Sequence, residues 1–130
     1  MDAAALIFAG EPATALQVLE ASIRLDPFPR PQAFGHMGLA NYLLKRYREA
    51  VRLFGELVSR LPNLQLPHLW LAAAYAQLGQ LEEARAEAAE VLRINPGFTI
   101  EGWKRLLVFK DPNDVDHHVD GLRKAGLPET

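Results

Sequence analysis

The stretch "AYAQLGQLEEA", Ala74 to Ala84, decides the fold of this chain. It joins an apolar helix end to a charged helix start through Gly79, and a related junction, "ANYLLKRYREA", begins 34 residues earlier at Ala40. Small residues on both sides of such a break allow two helices to pack closely. We therefore predict a helical hairpin here, and its recurrence predicts a repeated hairpin.

A constant spacing runs through most of the sequence. An offset of 34 aligns Phe34, Met37, Gly38, Ala50, Phe54 and Pro62 with His68, Leu71, Ala72, Ala84, Ala88 and Pro96. Towards the N-terminus, an offset of 35 aligns Gly10, Ala15, Leu19 and Pro27 with Lys45, Ala50, Phe54 and Pro62. Two full copies and one shortened copy of the same unit follow from this alignment.

The repeat resembles the tetratricopeptide repeat in its bulky first position, its Leu-Gly and Tyr, its paired Ala and aromatic residue, and its closing Pro. That family implies an all-α fold, a right-handed superhelical array of antiparallel helix pairs. We expect a single domain, 1–130, with a truncated repeat at 1–28, repeats at 29–62 and 63–96, and a degenerate capping hairpin at 97–130. Helices are predicted at 2–9, 12–25, 31–44, 47–60, 66–78, 81–94, 99–109 and 112–125.

Composition and charge argue against several classes of function. The chain has 130 residues, no Cys, and 14 basic against 16 acidic residues. Absence of Cys fits a reducing compartment, so we expect a cytoplasmic protein without thiolate metal sites. The basic residues are dispersed, which argues against nucleic acid as a partner. The longest uncharged run, Leu61 to Leu81, contains Pro, Gly, Asn and Gln, so no membrane association is predicted.

A second resemblance concerns the C-terminal part. The run "HLWLAAAYAQLGQLEEARAEAAEVLRINPGF", followed by a Trp helix, "FKDP" and "LRKAGLPE", is similar to the C-terminal repeat region of some bacterial class III adenylate or guanylate cyclases. This resemblance implies a regulatory or docking role beside a cyclase domain. No position of this chain matches the metal-binding aspartates or base-reading residues of such a domain, so the resemblance implies no catalytic residue.

Residues capable of chemistry are few and do not converge. His117 and His118 lie among aspartates, but neighbours on a helix point about 100 degrees apart, which favours a solvated helix face over a metal site. Glu82, Glu83, Glu87 and Glu90 are expected on the outer side of a helix, in solvent. His68 stands where the repeat has a bulky residue and is interpreted as packed. We predict no enzyme activity, no cofactor and no metal.

The inner face of the first helix of each pair is the candidate site. In tetratricopeptide proteins this face lines a concave groove that holds peptides. The corresponding residues include no Asp, Glu, Lys or Arg and are mostly apolar: Gln32, Gly35, His36, Leu39, Tyr42 and Leu43 in one repeat, and Leu66, Leu69, Trp70, Ala73, Ala76 and Gln77 in the next. Such a surface cannot clamp a peptide carboxylate with cationic side chains. A partner segment packs on it, or neighbouring helices of the chain itself close over it.

The N-terminal end suggests an alternative function. The first repeat has a short first helix and lacks the bulky opening residue, so the chain is expected to begin within a repeat. If Leu6, Ile7 and Phe8 were exposed there, they would favour self-association into a homodimer.

Overall fold

A computed structural model describes all residues from 1 to 130, and it contains eight helices and no strand. The helices are α1 (Ala3–Phe8), α2 (Pro12–Leu25), α3 (Pro31–Leu43), α4 (Tyr47–Arg60), α5 (Gln65–Gln77), α6 (Leu81–Ile94), α7 (Ile100–Lys104) and α8 (Pro112–Lys124). The all-α prediction is confirmed. Seven helices agree with their predicted bounds to within one residue, whereas α7 ends at Lys104 instead of 109.

Tight turns join the helices of each hairpin. Gly79 has φ of 78° between α5 and α6, in the left-handed region that glycine adopts without steric cost. Lys45 takes the same conformation, with φ of 62°, at the matching position between α3 and α4. Gly38 on α3 lies so close to α4 that a methyl group at this position would stand 2.8 Å from the Phe54 ring. The small residues of the repeat therefore bring the paired helices into contact, as predicted.

The helix pairs stack in order, and α5 lies at the centre of the core. Helix α4 packs against α5, and α2 packs against α3, which continues the array from one pair to the next. Helix α5 is apolar around its whole circumference, and nine of its thirteen residues are buried: Pro67, His68, Leu69, Trp70, Leu71, Ala72, Ala73, Ala74 and Ala76. A helix of this kind must be covered on every side.

The C-terminal segment supplies the missing cover by folding back into the groove. Helix α8 packs chiefly against α5, with a smaller contact to α6. It begins at Pro112 after Asp111, whose side chain accepts a hydrogen bond from the Asn113 amide. The terminal hairpin therefore closes the array from its inner side and does not add an outward layer on α6.

The loop between α7 and α8 ties the two ends of the chain together. The Lys110 N–H donates to the Phe8 carbonyl at 2.8 Å, and the rings of Phe8 and Phe109 lie 5.0 Å apart. Leu6 and Ile7 are buried, and Phe8 is half-buried. The condition for self-association through an exposed apolar α1 is therefore not met, because this loop covers Leu6, Ile7 and part of Phe8.

None of the eight helices combines the length and the apolar character that a membrane crossing demands.

Candidate functional site

Helix α8 fills one half of the groove. The Tyr42 hydroxyl donates to the His117 carbonyl at 2.8 Å, and the Gln77 amide donates to the same carbonyl at 3.1 Å. Gly121 faces Ala73 so closely that a methyl group on Gly121 would lie 2.8 Å from the Ala73 Cβ. Three of the predicted groove residues, Tyr42, Ala73 and Gln77, therefore contact a helix of the same chain. A peptide cannot reach them while α8 is in place.

His118 forms the centre of this contact and is fully buried. Its ring stacks on Trp70, with centroids 3.6 Å apart and an interplanar angle of 14°. The Trp103 indole N–H donates to His118 Nε2 at 2.9 Å, which places the imidazole proton on Nδ1, an atom without a hydrogen-bond partner. Burial, with a smaller effect of His117, lowers the pKa of His118 to about 3. The predicted solvated face was wrong for this residue.

His117 lies at the margin of the same contact. Its Nε2 is 2.6 Å from the Tyr47 hydroxyl, and its ring stacks on Tyr42 with centroids 4.5 Å apart. Burial, and next the positive charge of Lys45, lower the pKa of His117. The two adjacent imidazoles serve different contacts, and no three His, Asp or Glu side chains in the chain are grouped as metal ligands.

His68 is buried, as predicted, and it links α5 to α6. Its Nδ1 lies 2.5 Å from a Glu87 carboxylate oxygen, and its Nε2 lies 2.7 Å from the Pro62 carbonyl. Glu87 is therefore not a solvated carboxylate of the outer helix face, as expected from the sequence. The interaction fixes the packing of the second helix pair.

An open cavity of about 340 Å³ occupies the other half of the groove. One wall consists of Gln32, Gly35, His36 and Leu39 from α3, and a second wall consists of Leu66, Pro67 and Trp70 from α5. Most of the lining is apolar. This end of the groove thus remains accessible, in contrast to the half under α8.

The remaining predicted groove residues do not line the cavity. Leu69 and Ala76 are buried in the core, and Leu43 is half-buried against it. Other lining residues were missed by sequence reasoning: Phe8, Phe54, Leu57, Leu61, Leu64, Trp103, Leu106, Leu107, Val108 and Phe109. The sequence does contain an indication of these residues, because the four consecutive apolar residues "LLVF" at 106–109 must pack against another part of the chain. The predicted helix 99–109 included them instead.

The rim of the cavity exposes several large apolar side chains. Leu64 and Leu66 are each about half exposed, and Leu106 and Val108 are each 69% exposed. Clusters of this kind on a soluble domain mark interaction surfaces. In the sequence, the exposed Lys104 and Lys110 stand on either side of the lining residues Leu106 to Phe109, and neither takes part in an ion pair within the chain.

Comparison with known proteins shows the family of this chain. Residues 42–107 match the model of the tetratricopeptide repeat. The chain is also similar to a protein of Rhizobium meliloti (strain 1021) named "Putative adenylate cyclase 3", with 43% identity over 44 residues. That match covers 34% of this chain and only 8% of the relative. Since the repeat model covers half of the sequence, the chain belongs to the tetratricopeptide repeat family, whose members act as protein-interaction modules.

Proposed function

We propose that the chain binds a partner polypeptide by receiving its large apolar side chains in the open cavity. The observation that carries this proposal is an apolar cavity of about 340 Å³ whose rim residues are exposed on the surface that tetratricopeptide repeats use for recognition. Burial of a few aromatic or aliphatic anchors supplies most of the affinity at such sites. Six of the predicted groove residues line this cavity: Gln32, Gly35, His36, Leu39, Leu66 and Trp70.

Charged substitutions of exposed leucines, at the rim and away from it, test the cavity. Leu66→Asp and Leu106→Asp place a charge at the rim, whereas Leu81→Asp places one on a 38% exposed residue at the start of α6, away from the cavity. We expect the two rim variants to lose partners that the wild-type chain captures from cells, and the Leu81→Asp variant to retain them. All three should keep the helical circular dichroism of the wild type. Equal capture by all variants would contradict the proposal.

We also propose that this binding module is the regulatory or docking part of a class III cyclase-type signalling protein in the cytoplasm. The similarity to the Rhizobium meliloti protein and the resemblance of the tail from Trp103 to Glu129 to cyclase C-termini support it. The cavity would then bind a segment of a partner or of the parent chain, and its occupancy would alter nucleotide cyclisation in the attached domain.

The complete reading frame of the gene allows a test of the proposed cyclase connection. The full-length product and its Leu66→Asp variant would be expressed in a host without its own adenylate cyclase, and cyclic AMP and cyclic GMP would be measured. We expect cyclic nucleotide from the parent protein and a changed rate in the variant. A reading frame without a cyclase domain, or identical rates, would refute the cyclase assignment while leaving the binding site to be judged by the capture experiment.

A further inference from the structure

The open cavity and the docked helix α8 share two side chains, Trp70 and Trp103. Both indoles line the cavity. Both also contact His118, since Trp70 stacks on its ring with centroids 3.6 Å apart and the Trp103 N–H donates to its Nε2 at 2.9 Å. His118 itself is fully buried and does not belong to the lining. One side chain of α8 thus contacts two residues of the cavity wall without reaching the cavity.

We infer that His118 is a positioning residue of the cavity: through its hydrogen bond it holds the Trp103 indole, and with it the wall segment 106–109. This inference rests on the proposed function, because it concerns the same binding site and explains how α8 acts on it. Docking of α8 and binding at the cavity are then coupled, so each strengthens the other.

Trp103 is placed to transmit this effect. It lies in the last turn of α7, a helix of five residues, and the segment 106–109 that follows it forms part of the lining. The indole N–H is the only hydrogen-bonding group of a tryptophan side chain, and it is a donor. His118 therefore supplies the one polar contact that this side chain can make, at the start of the wall segment.

The acceptor has a fixed position because His118 is packed on more than one side. Its ring lies nearly parallel to Trp70, with an interplanar angle of 14°, and Tyr42 meets it edge-on with centroids 6.2 Å apart. A buried ring in close packing cannot turn without displacing its neighbours. The Trp103 N–H consequently meets an acceptor whose place is set by the docking of α8.

The far end of the wall segment is held by a separate contact. The Lys110 N–H donates to the Phe8 carbonyl at 2.8 Å. Between this contact and Trp103, Leu106 and Val108 are each 69% exposed, so packing restrains them little. The hydrogen bond of Trp103 is thus one of two anchors that determine where this wall lies.

Tryptophan fluorescence and an apolar dye provide the measurements. Trp70 and Trp103 are the only tryptophans of the chain, so intrinsic emission reports on the cavity wall without any ligand. The probe is the uncharged dye N-phenyl-1-naphthylamine, which emits strongly in apolar surroundings, since no Asp, Glu, Lys or Arg lines the cavity. Leu66→Asp should abolish dye binding and so identify the signal that belongs to the cavity.

His118→Phe keeps an aromatic ring against Trp70 and removes the acceptor for Trp103. We expect it to raise the dye Kd by about 5-fold or more, the lower limit of typical coupling between sites. Tryptophan emission should shift to longer wavelength as the Trp103 indole becomes more hydrated. Circular dichroism checks that the variant is folded, and His118→Leu, which also lacks an acceptor, replaces it if it is not.

A double-variant cycle separates this hydrogen bond from general packing. Trp103→Phe removes the donor and keeps a ring in the lining. Because both substitutions break the same bond, the double variant should raise the dye Kd about as much as the stronger single variant and not by the product of the two. In the Trp103→Phe background, His118→Phe should no longer shift the emission, since only Trp70 still emits.

Glu87→Ala is the control for a loss of stability alone. It removes the partner of buried His68 between α5 and α6, and neither residue lines the cavity. The dye Kd and the emission of this variant should equal those of the wild type. An equal change in Glu87→Ala and His118→Phe would overturn the inference.

Two further results would also overturn it. One is a His118→Phe variant with the dye Kd and emission of the wild type, and the other is a cycle in which the two substitutions act independently. If the wild type takes up no dye, the emission decides: a shift confined to His118→Phe supports the inference, and coincident spectra refute it. The capture experiment with Leu66→Asp judges the proposed function separately, because neither dye nor emission depends on a partner polypeptide.

Discussion

Acidification should destabilise the folded chain, because His118 must remain neutral where it lies in the contact between α8 and α5. In the folded chain burial holds the pKa of His118 at about 3, whereas an unfolded histidine titrates near its ordinary 6.5. Below pH 6.5 the unfolded chain therefore binds one more proton than the folded chain, and the free energy of unfolding falls as the pH falls. The loss continues until the pH reaches the folded pKa.

The size of this effect follows from the linkage slope of about 1.4 kcal/mol per pH unit for one proton. Between about pH 7.5 and pH 5 the loss amounts to about 2 kcal/mol, which is a large fraction of the roughly 5 to 15 kcal/mol that stabilise a typical domain. The structural cause is specific: a protonated His118 could not accept the Trp103 N–H, and its charge would be buried against Trp70.

Urea denaturation at a series of pH values measures this loss, with His118→Phe as the reference. The phenyl ring retains an aromatic surface against Trp70 but does not titrate. All other titrating groups, including His117 and the exposed carboxylates, are shared by both proteins. We expect the free energy of unfolding of the wild type to fall by about 2 kcal/mol more than that of the variant over this range. Parallel pH profiles for the two proteins would refute the argument.

Two further variants probe contacts described above. Gly121→Ala introduces a methyl group 2.8 Å from the Ala73 Cβ, so we expect about 1 to 3 kcal/mol lower stability by urea denaturation. Gly55→Ala is the control, since nothing lies within 4 Å of its added methyl group, and it should be stabilising by about 0.5 to 1 kcal/mol. Glu87→Ala leaves buried His68 Nδ1 without a partner, at a cost of about 1 to 3 kcal/mol in the same assay. An unchanged unfolding midpoint would contradict either expectation.

The repeat architecture could be predicted from sequence because local signals determine it. Gly79 and Lys45 lie 34 positions apart and take the same left-handed turn, and Pro is the first residue of three helices. These features depend on backbone sterics and on contacts between adjacent helices. The only large error in helix bounds, at α7, concerns residues after Lys104, where contacts with the cavity replace the helical period.

The site could be predicted only in part, because the segments that cover or complete the apolar face of α5 come from distant parts of the sequence. The apolar face through Leu66 and Trp70 was visible in the helical pattern. The helix that covers this face could not be recognised from the pattern, since the burial of His118 depends on stacking with Trp70, which lies on a helix far away in sequence. A histidine between aspartates has the pattern of a solvated face, and only the tertiary packing of α8 overrides it.

The hydrogen bond from Lys110 to the Phe8 carbonyl has a consequence for how the molecule folds. An open array of repeats can gain stability one neighbour at a time, and it can fray from either end without disturbing its centre. Here the segment before α8 contacts α1, so opening of either one removes contacts of the other. This coupling makes the array more cooperative than an open stack, and it depends on a contact of long sequence separation whose loop-closure entropy slows folding.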